Sequence, residues 1–135
     1  MSADVNIKTM QSIYEAFGRG DIEFILATVT DDVDWATEAS GRGAPWYGPH
    51  NGVAEVGEFF EAFGSTMEVE DFTPLTYAGT DDDEVLTVVR FAAKNRQTGK
   101  SLSQQLHHYF KFRDGKIAVY RGSEDTAAVA ATFES

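Results

Sequence analysis

The sequence contains no cysteine and only 3 prolines in 135 residues. The missing thiols exclude disulfides, thiolate nucleophiles and thiolate metal sites, and they favour a cytoplasmic location. Positive charge is also scarce, with 11 Lys and Arg against 22 Asp and Glu and a formal net charge of −11. A chain so acidic repels phosphate backbones and anionic lipid surfaces, so neither nucleic acid nor a membrane is an expected partner. No apolar run approaches the ~18 residues of a membrane-spanning helix. The opening residues Met1 to Asn6 have neither the basic nor the apolar region of a secretion signal. Aromatic residues, by contrast, are abundant: 10 Phe, 5 Tyr and 2 Trp make up 13% of the chain. With 42% hydrophobic residues, the length suits one domain over residues 1–135 with a sizeable core.

The apolar period changes along the chain. Ile7, Met10, Ile13, Tyr14 and Phe17 recur at spacings of three and four, the stripe of a helix that Asp4 is placed to cap and Gly18 and Gly20 to stop. Asp21 reads as the cap of a second, shorter helix carrying Ile22, Ile25, Leu26 and Val29. From Val33 the period becomes two, with Val33, Trp35 and Thr37 on one face of a short strand. Residues 39–52 hold four Gly and two Pro and read as a long loop containing Trp46 and Tyr47. A third helix follows, with Val53, Val56, Phe59, Phe60 and Phe63 on its apolar face and Gly64 as its expected stop. Four strands are expected over 67–77, 84–94, 101–113 and 116–122, with Asp114-Gly115 as the strongest hairpin signal. A short terminal helix capped by Ser123 closes the chain.

Helices gathered early and strands gathered late predict an α+β domain. Its curved antiparallel sheet forms a half-open cone, covered by three helices from the N-terminal half and followed by a short C-terminal helix. Such a cone leaves a cavity between its concave face and the helices, the default place for a ligand.

This order resembles the nuclear transport factor two-like superfamily, and within it the SnoaL-like and ketosteroid-isomerase-like branch. The resemblance rests on Tyr14-Glu15-Ala16-Phe17 with Gly20-Asp21, Asp31 to Trp35, Gly52-Val53 with Phe59-Phe60, His108 to Ile117, and Glu124 to Ala128. It implies a cystatin-like roll and a homodimer formed through the outer sheet face, where Arg90, His107 and Lys111 would sit. It does not imply one reaction, because the fold hosts isomerases, cyclases, hydrolases and non-catalytic binding modules.

Few polar residues are placed for chemistry. Along 106–113, Lys111 and Arg113 belong outside, so parity turns Phe110, Phe112 and His108 inward and His107 outward. An inward imidazole can give and take protons near neutral pH, or it can simply line the cavity. Resemblance puts His108 where ketosteroid isomerases place the carboxylic acid of their oxyanion hole. Their general-base Asp falls on Thr37, which argues against steroid isomerisation, and their tyrosine falls on Ile13, next to Tyr14. Tyr14 faces the sheet, where its hydroxyl would orient a substrate oxygen or bond a protein group. Glu38 points away from Thr37 toward solvent, and Arg90 points outward, so the hydrolase constellation of an Arg between carboxylates is missing. Arg121, Glu124 and Asp125 read as a rim salt bridge and a helix cap.

Trp35, Trp46, Phe60, Phe91, Phe110 and Tyr120 are the expected wall and mouth of the cavity. His50, His107 and His108 lack metal-ligand spacing and no glycine-rich phosphate motif follows a strand, so no metal or cofactor is implied. The expected function is a small cofactor-independent enzyme of the isomerase, cyclase or lyase type. It would use His108, Tyr14 and Thr37 on a compact apolar molecule bearing a carbonyl or hydroxyl. The alternative is a non-catalytic small-molecule-binding or dimeric assembly module of the same fold.

Overall fold

The computed structural model describes residues 2–40 and 43–134. Its elements run α1 (Ala3–Gly18), α2 (Ile22–Ala27), β1 (Val29–Thr37), β2 (Gly48–Asn51), α3 (Val53–Thr66), β3 (Met67–Gly79), β4 (Glu84–Asn95), β5 (Ser101–Arg113), β6 (Lys116–Ser123) and α4 (Thr126–Ala131). The fold is α+β as expected, with α1, α2 and α3 in the N-terminal half and the short α4 near the other end. Among the described residues no helix is long and apolar enough to cross a membrane.

The strands form one curved, unclosed six-stranded sheet in the order β2-β1-β6-β5-β4-β3. From β3 to β6 it is the expected antiparallel meander. The β5–β6 hairpin turns on Asp114 and Gly115, whose φ of 52° and 81° are the left-handed pair an Asp-Gly turn supplies. The junction of β1 with β6 departs from an all-antiparallel sheet, because these two strands run parallel. A parallel neighbour needs a long crossover, and the chain between β1 and β6 provides one. Register shifts within the β1–β6, β3–β4 and β5–β6 pairs bend the strands and curl the sheet. α1 and α3 lie across its concave face, burying Met10, Ile13, Tyr14, Val56 and Phe59 against Val85, Val89, Phe91 and Phe110.

Local signals mislead in five places. Ser2, not Asp4, caps α1, its side chain accepting from the Val5 N–H at 3.3 Å, while Asp4 lies in the first turn where the helix dipole favours an acid. Val29 opens β1 instead of extending the α2 stripe. The 39–52 segment is not all loop: β2 pairs with β1, placing His50 opposite Trp35. Pro49 is tolerated there because β2 is an edge strand. Residues 41 and 42 of that segment lie outside the described residues. Gly64 does not stop α3, which continues to Thr66 and passes directly into β3. Finally, Ser123 ends β6, and Asp125 caps α4 by accepting from the Ala128 N–H at 3.0 Å.

Two glycines test this packing in opposite directions. A Cβ on Gly79 would lie 2.8 Å from the Ala3 Cβ, so Gly79→Ala must push α1 away, at a cost of about 1–3 kcal/mol. Gly64 is helical with open space around it, and Gly64→Ala should stabilise by about 0.5–1 kcal/mol. Denaturant unfolding of the two variants checks both signs.

Candidate functional site

Register across the concave face builds the site from four side-by-side positions. Thr87 on β4 pairs with His108 on β5, His108 with Gly122 on β6, and Gly122 with Thr37 on β1. The neighbouring row, Val85, Phe110, Tyr120 and Trp35, forms an apolar wall. Gly122 is required by this wall: a Cβ there would sit 2.1 Å from Tyr120 Oη. The phenol therefore leans over the missing side chain, between His108 and Thr37.

Above these rows lies a cavity of about 80 Å³, against the roughly 10–15 Å³ that one water needs. It suits a compact molecule. All nine residues singled out in the sequence border it: His108, Tyr14 and Thr37 among the polar groups, and Trp35, Trp46, Phe60, Phe91, Phe110 and Tyr120 among the rings. The rings interlock, with Trp35 4.2 Å from Tyr120 and Phe110 5.2 Å from Tyr120 between centroids. Trp46 is 3% exposed and meets Phe63 edge-on at 5.1 Å, so its loop packs into the cavity wall. Such contacts restrict water and lower the local dielectric.

Tyr14 does not point its hydroxyl freely at a ligand. Oη lies 2.6 Å from Thr87 Oγ1 and 2.7 Å from His108 Nδ1, which makes a chain of three side chains, buried at Thr87 and Tyr14 and half-buried at His108. His108 borders the cavity, and its half-buried ring packs among Tyr14, Phe110 and Tyr120. Burial, aided by His107, pushes its pKa down to about 3, so the imidazole is neutral at physiological pH. Burial also drives the Tyr14 phenol well above its ordinary value, against the opposing hydrogen bond with Thr87. Tyr120 is raised too, by burial and then by the charge of Glu124, with Thr37 opposing.

Glu124, which the sequence reading places at the rim, is half-buried and borders the cavity. Tyr47 donates to Oε2 at 2.8 Å, while burial raises the carboxyl pKa above its ordinary value and that hydrogen bond only partly offsets it. A signal was available, since Tyr120, Gly122 and Glu124 share one parity and the wall continues two residues past Gly122. Thr87 was legible in the same way, as the polar member of an inward run with Val85, Val89 and Phe91. The other polar candidates lie elsewhere. Glu38 and Asp34 pair with Arg121 at 3.6 and 2.8 Å, Arg90 pairs with Asp71 at 2.7 Å, and Asp125 serves α4. Among the described residues no cluster of three His, Cys, Asp or Glu side chains is arranged to hold a metal ion.

A curled sheet covered by helices thus encloses an aromatic cavity bordered by a few polar side chains. The chain belongs to the SnoaL-like domain family, whose pattern matches residues 10–120. Solved structures agree on the fold. An NTF2-like protein of unknown function from Burkholderia pseudomallei shares 22% identity over 100% of both chains, with a TM-score of 0.88. TerC, co-crystallized with polyporic acid, shares 24% identity over 97% of this chain and 99% of its own, with a TM-score of 0.83. A candidate polyketide cyclase from Xanthomonas campestris shares 19% identity over 94% of this chain and 98% of its own, with a TM-score of 0.77. The sequence has no match among the curated proteins.

His108 and Glu124 have opposite signatures in stability. Between pH 6.5 and 5 the unfolded chain protonates a histidine that the folded chain keeps neutral, so wild type loses up to about 1.4 kcal/mol per pH unit as pH falls. His108→Leu should flatten that slope in a pH series of denaturant melts. Glu124 carries a raised folded pKa, so its ionised form costs stability above the unfolded value near 4.5. Glu124→Gln should therefore raise Tm at pH 7 and give a smaller gain below pH 4.5.

Proposed function

We propose that this protein is a cofactor-independent enzyme that moves a proton on a compact apolar molecule bearing a carbonyl or hydroxyl, in an isomerase, cyclase or lyase reaction. One observation carries the reading: an aromatic cavity borders two proton-exchanging groups, His108 and Glu124, whose affinities for protons burial pushes in opposite directions. Paired groups displaced in this way are how one site handles acid and base roles together. One of them acts at the ligand oxygen and the other at the hydrogen that moves. Thr37 and the Tyr120 hydroxyl flank the same row and supply further contacts to oxygen.

The presence of Glu124 supports catalysis over simple packing. A carboxylate held where burial penalises its charge weakens the fold, and sites that retain such groups usually do so for function. The small-molecule-binding alternative needs no such group. The Trp and Phe walls fit a flat apolar skeleton, and the likeness in fold to TerC, co-crystallized with polyporic acid, supports a small-molecule ligand. A homodimer through the outer sheet face fits Leu86, which is 47% exposed there. The absence of cysteine supports a cytoplasmic home.

The test is hydrogen exchange in deuterated water against a panel of compact neutral ketones, followed by NMR. Wild type should exchange the hydrogen beside the carbonyl of at least one compound, and His108→Ala and Glu124→Gln should each slow that exchange by about 100-fold or more. A ligand retained through purification and returned unchanged, with no exchange for any ketone, would instead establish the binding module. Light scattering should give a mass near twice that of the chain, and a monomer mass would contradict the dimer.

A further inference from the structure

We infer that Tyr14 is a positioning residue: its hydroxyl, held by Thr87, fixes His108 as the Nε2–H tautomer, so that the ring offers the cavity a donor and no acceptor. The basis is a count of hydrogens along the buried chain. Thr87 is 3% exposed, and its hydroxyl has one hydrogen-bond partner among the described residues, Tyr14 Oη at 2.6 Å. A buried hydroxyl hydrogen is rarely left without an acceptor, so Thr87 donates to Tyr14. Tyr14 has one hydrogen of its own and one other neighbour for it, His108 Nδ1 at 2.7 Å. Nδ1 then accepts and carries no hydrogen, and a neutral imidazole with a bare Nδ1 is protonated on Nε2. Reversing every bond would leave the hydrogen of the buried Thr87 hydroxyl with no acceptor among the described residues.

Nε2 has no partner among the described residues and is the nitrogen left for the cavity. This deepens the proposed function, and its chemical consequence rests on that reading. His108 acts at an acceptor oxygen of the ligand, a carbonyl in preference to a group that must donate. The moving hydrogen is left to Glu124, the carboxylate on the same cavity. The Tyr14 ring borders the cavity, but its hydroxyl is committed to Thr87 and His108, so the effect of that hydroxyl is transmitted through the tautomer and orientation of the histidine ring.

Nitrogen-15 NMR of histidine-labelled protein at pH 7, without any ligand, reads the tautomer directly. Wild type should show His108 with Nε2 protonated and Nδ1 bare, in about tenfold or greater excess. Tyr14→Phe removes the hydrogen that holds Nδ1 bare and should bring both tautomers into comparable population. Thr87→Val should keep the Nε2–H form, because the Tyr14 hydrogen then has only Nδ1 to go to. A wild-type ring protonated on Nδ1, a Tyr14→Phe ring unchanged from wild type, or a Thr87→Val ring switched to Nδ1–H would each overturn the inference. Should Tyr14→Phe fail to fold, the wild-type and Thr87→Val spectra still decide it. A correct tautomer with no exchange activity on any ketone would count against the enzyme reading alone.

Discussion

The register that sets Thr87, His108, Gly122 and Thr37 side by side on the concave face is the constraint on which the rest of the site depends. Three of the four are polar and the fourth has no side chain. The gap at Gly122 admits the Tyr120 hydroxyl, and Tyr120 in turn stacks on Trp35 and Phe110 to form the wall. Shifting any one of these strands by a residue would turn its member of the row to the outer face and replace it with a residue meant for solvent. The parallel pairing of β1 with β6 therefore has a functional consequence, because it brings Thr37 and Trp35 to a cavity whose other walls come from the meander, the helices α1, α2 and α3, and Trp46.

Most of the aromatic rings lie inside and most of the acidic charge outside, with Phe24 exposed on one side of that division and Glu124 drawn in on the other. Most carboxylates lie on the surface, several paired with Arg90, Arg113 or Arg121 in exposed bridges that contribute little to stability. Glu124 is the carboxylate that borders the cavity, and Tyr47 from the glycine-rich loop reaches across to hold it. That loop is thus tied to α3 by the edge-on contact of Trp46 with Phe63, and to Glu124, just past β6, by the Tyr47 hydrogen bond.

Much of this was legible in the sequence, for physical reasons that can be named. Period-two alternation over 106–113 placed His108 inward because Lys111 and Arg113 cannot face an apolar core, and period 3.6 over 7–17 placed Tyr14 on the sheet side. The limits were equally physical. Capping was assigned to the wrong residues at Asp4 and Ser123 because Ser and Asp compete for such positions within two residues of one another. β2 was invisible because an edge strand tolerates the Gly and Pro that normally mark loops. Glu124 was placed on the rim because a carboxylate near a helix start reads as a capping group, although parity from Tyr120 carries it into the cavity. No local pattern could show that Tyr14 meets His108 and Thr87, contacts that span 94 and 73 residues of chain.

The central claim is that a neutral imidazole stands at the wall of an apolar cavity. It is tested most directly by following the His108 ring resonances through a pH titration of the folded wild-type protein. The account predicts a ring that stays unprotonated through pH 5 and begins to titrate only as pH approaches about 3. A midpoint near the ordinary value of 6.5 would show that the ring is solvated and charged under acid conditions, and would contradict it.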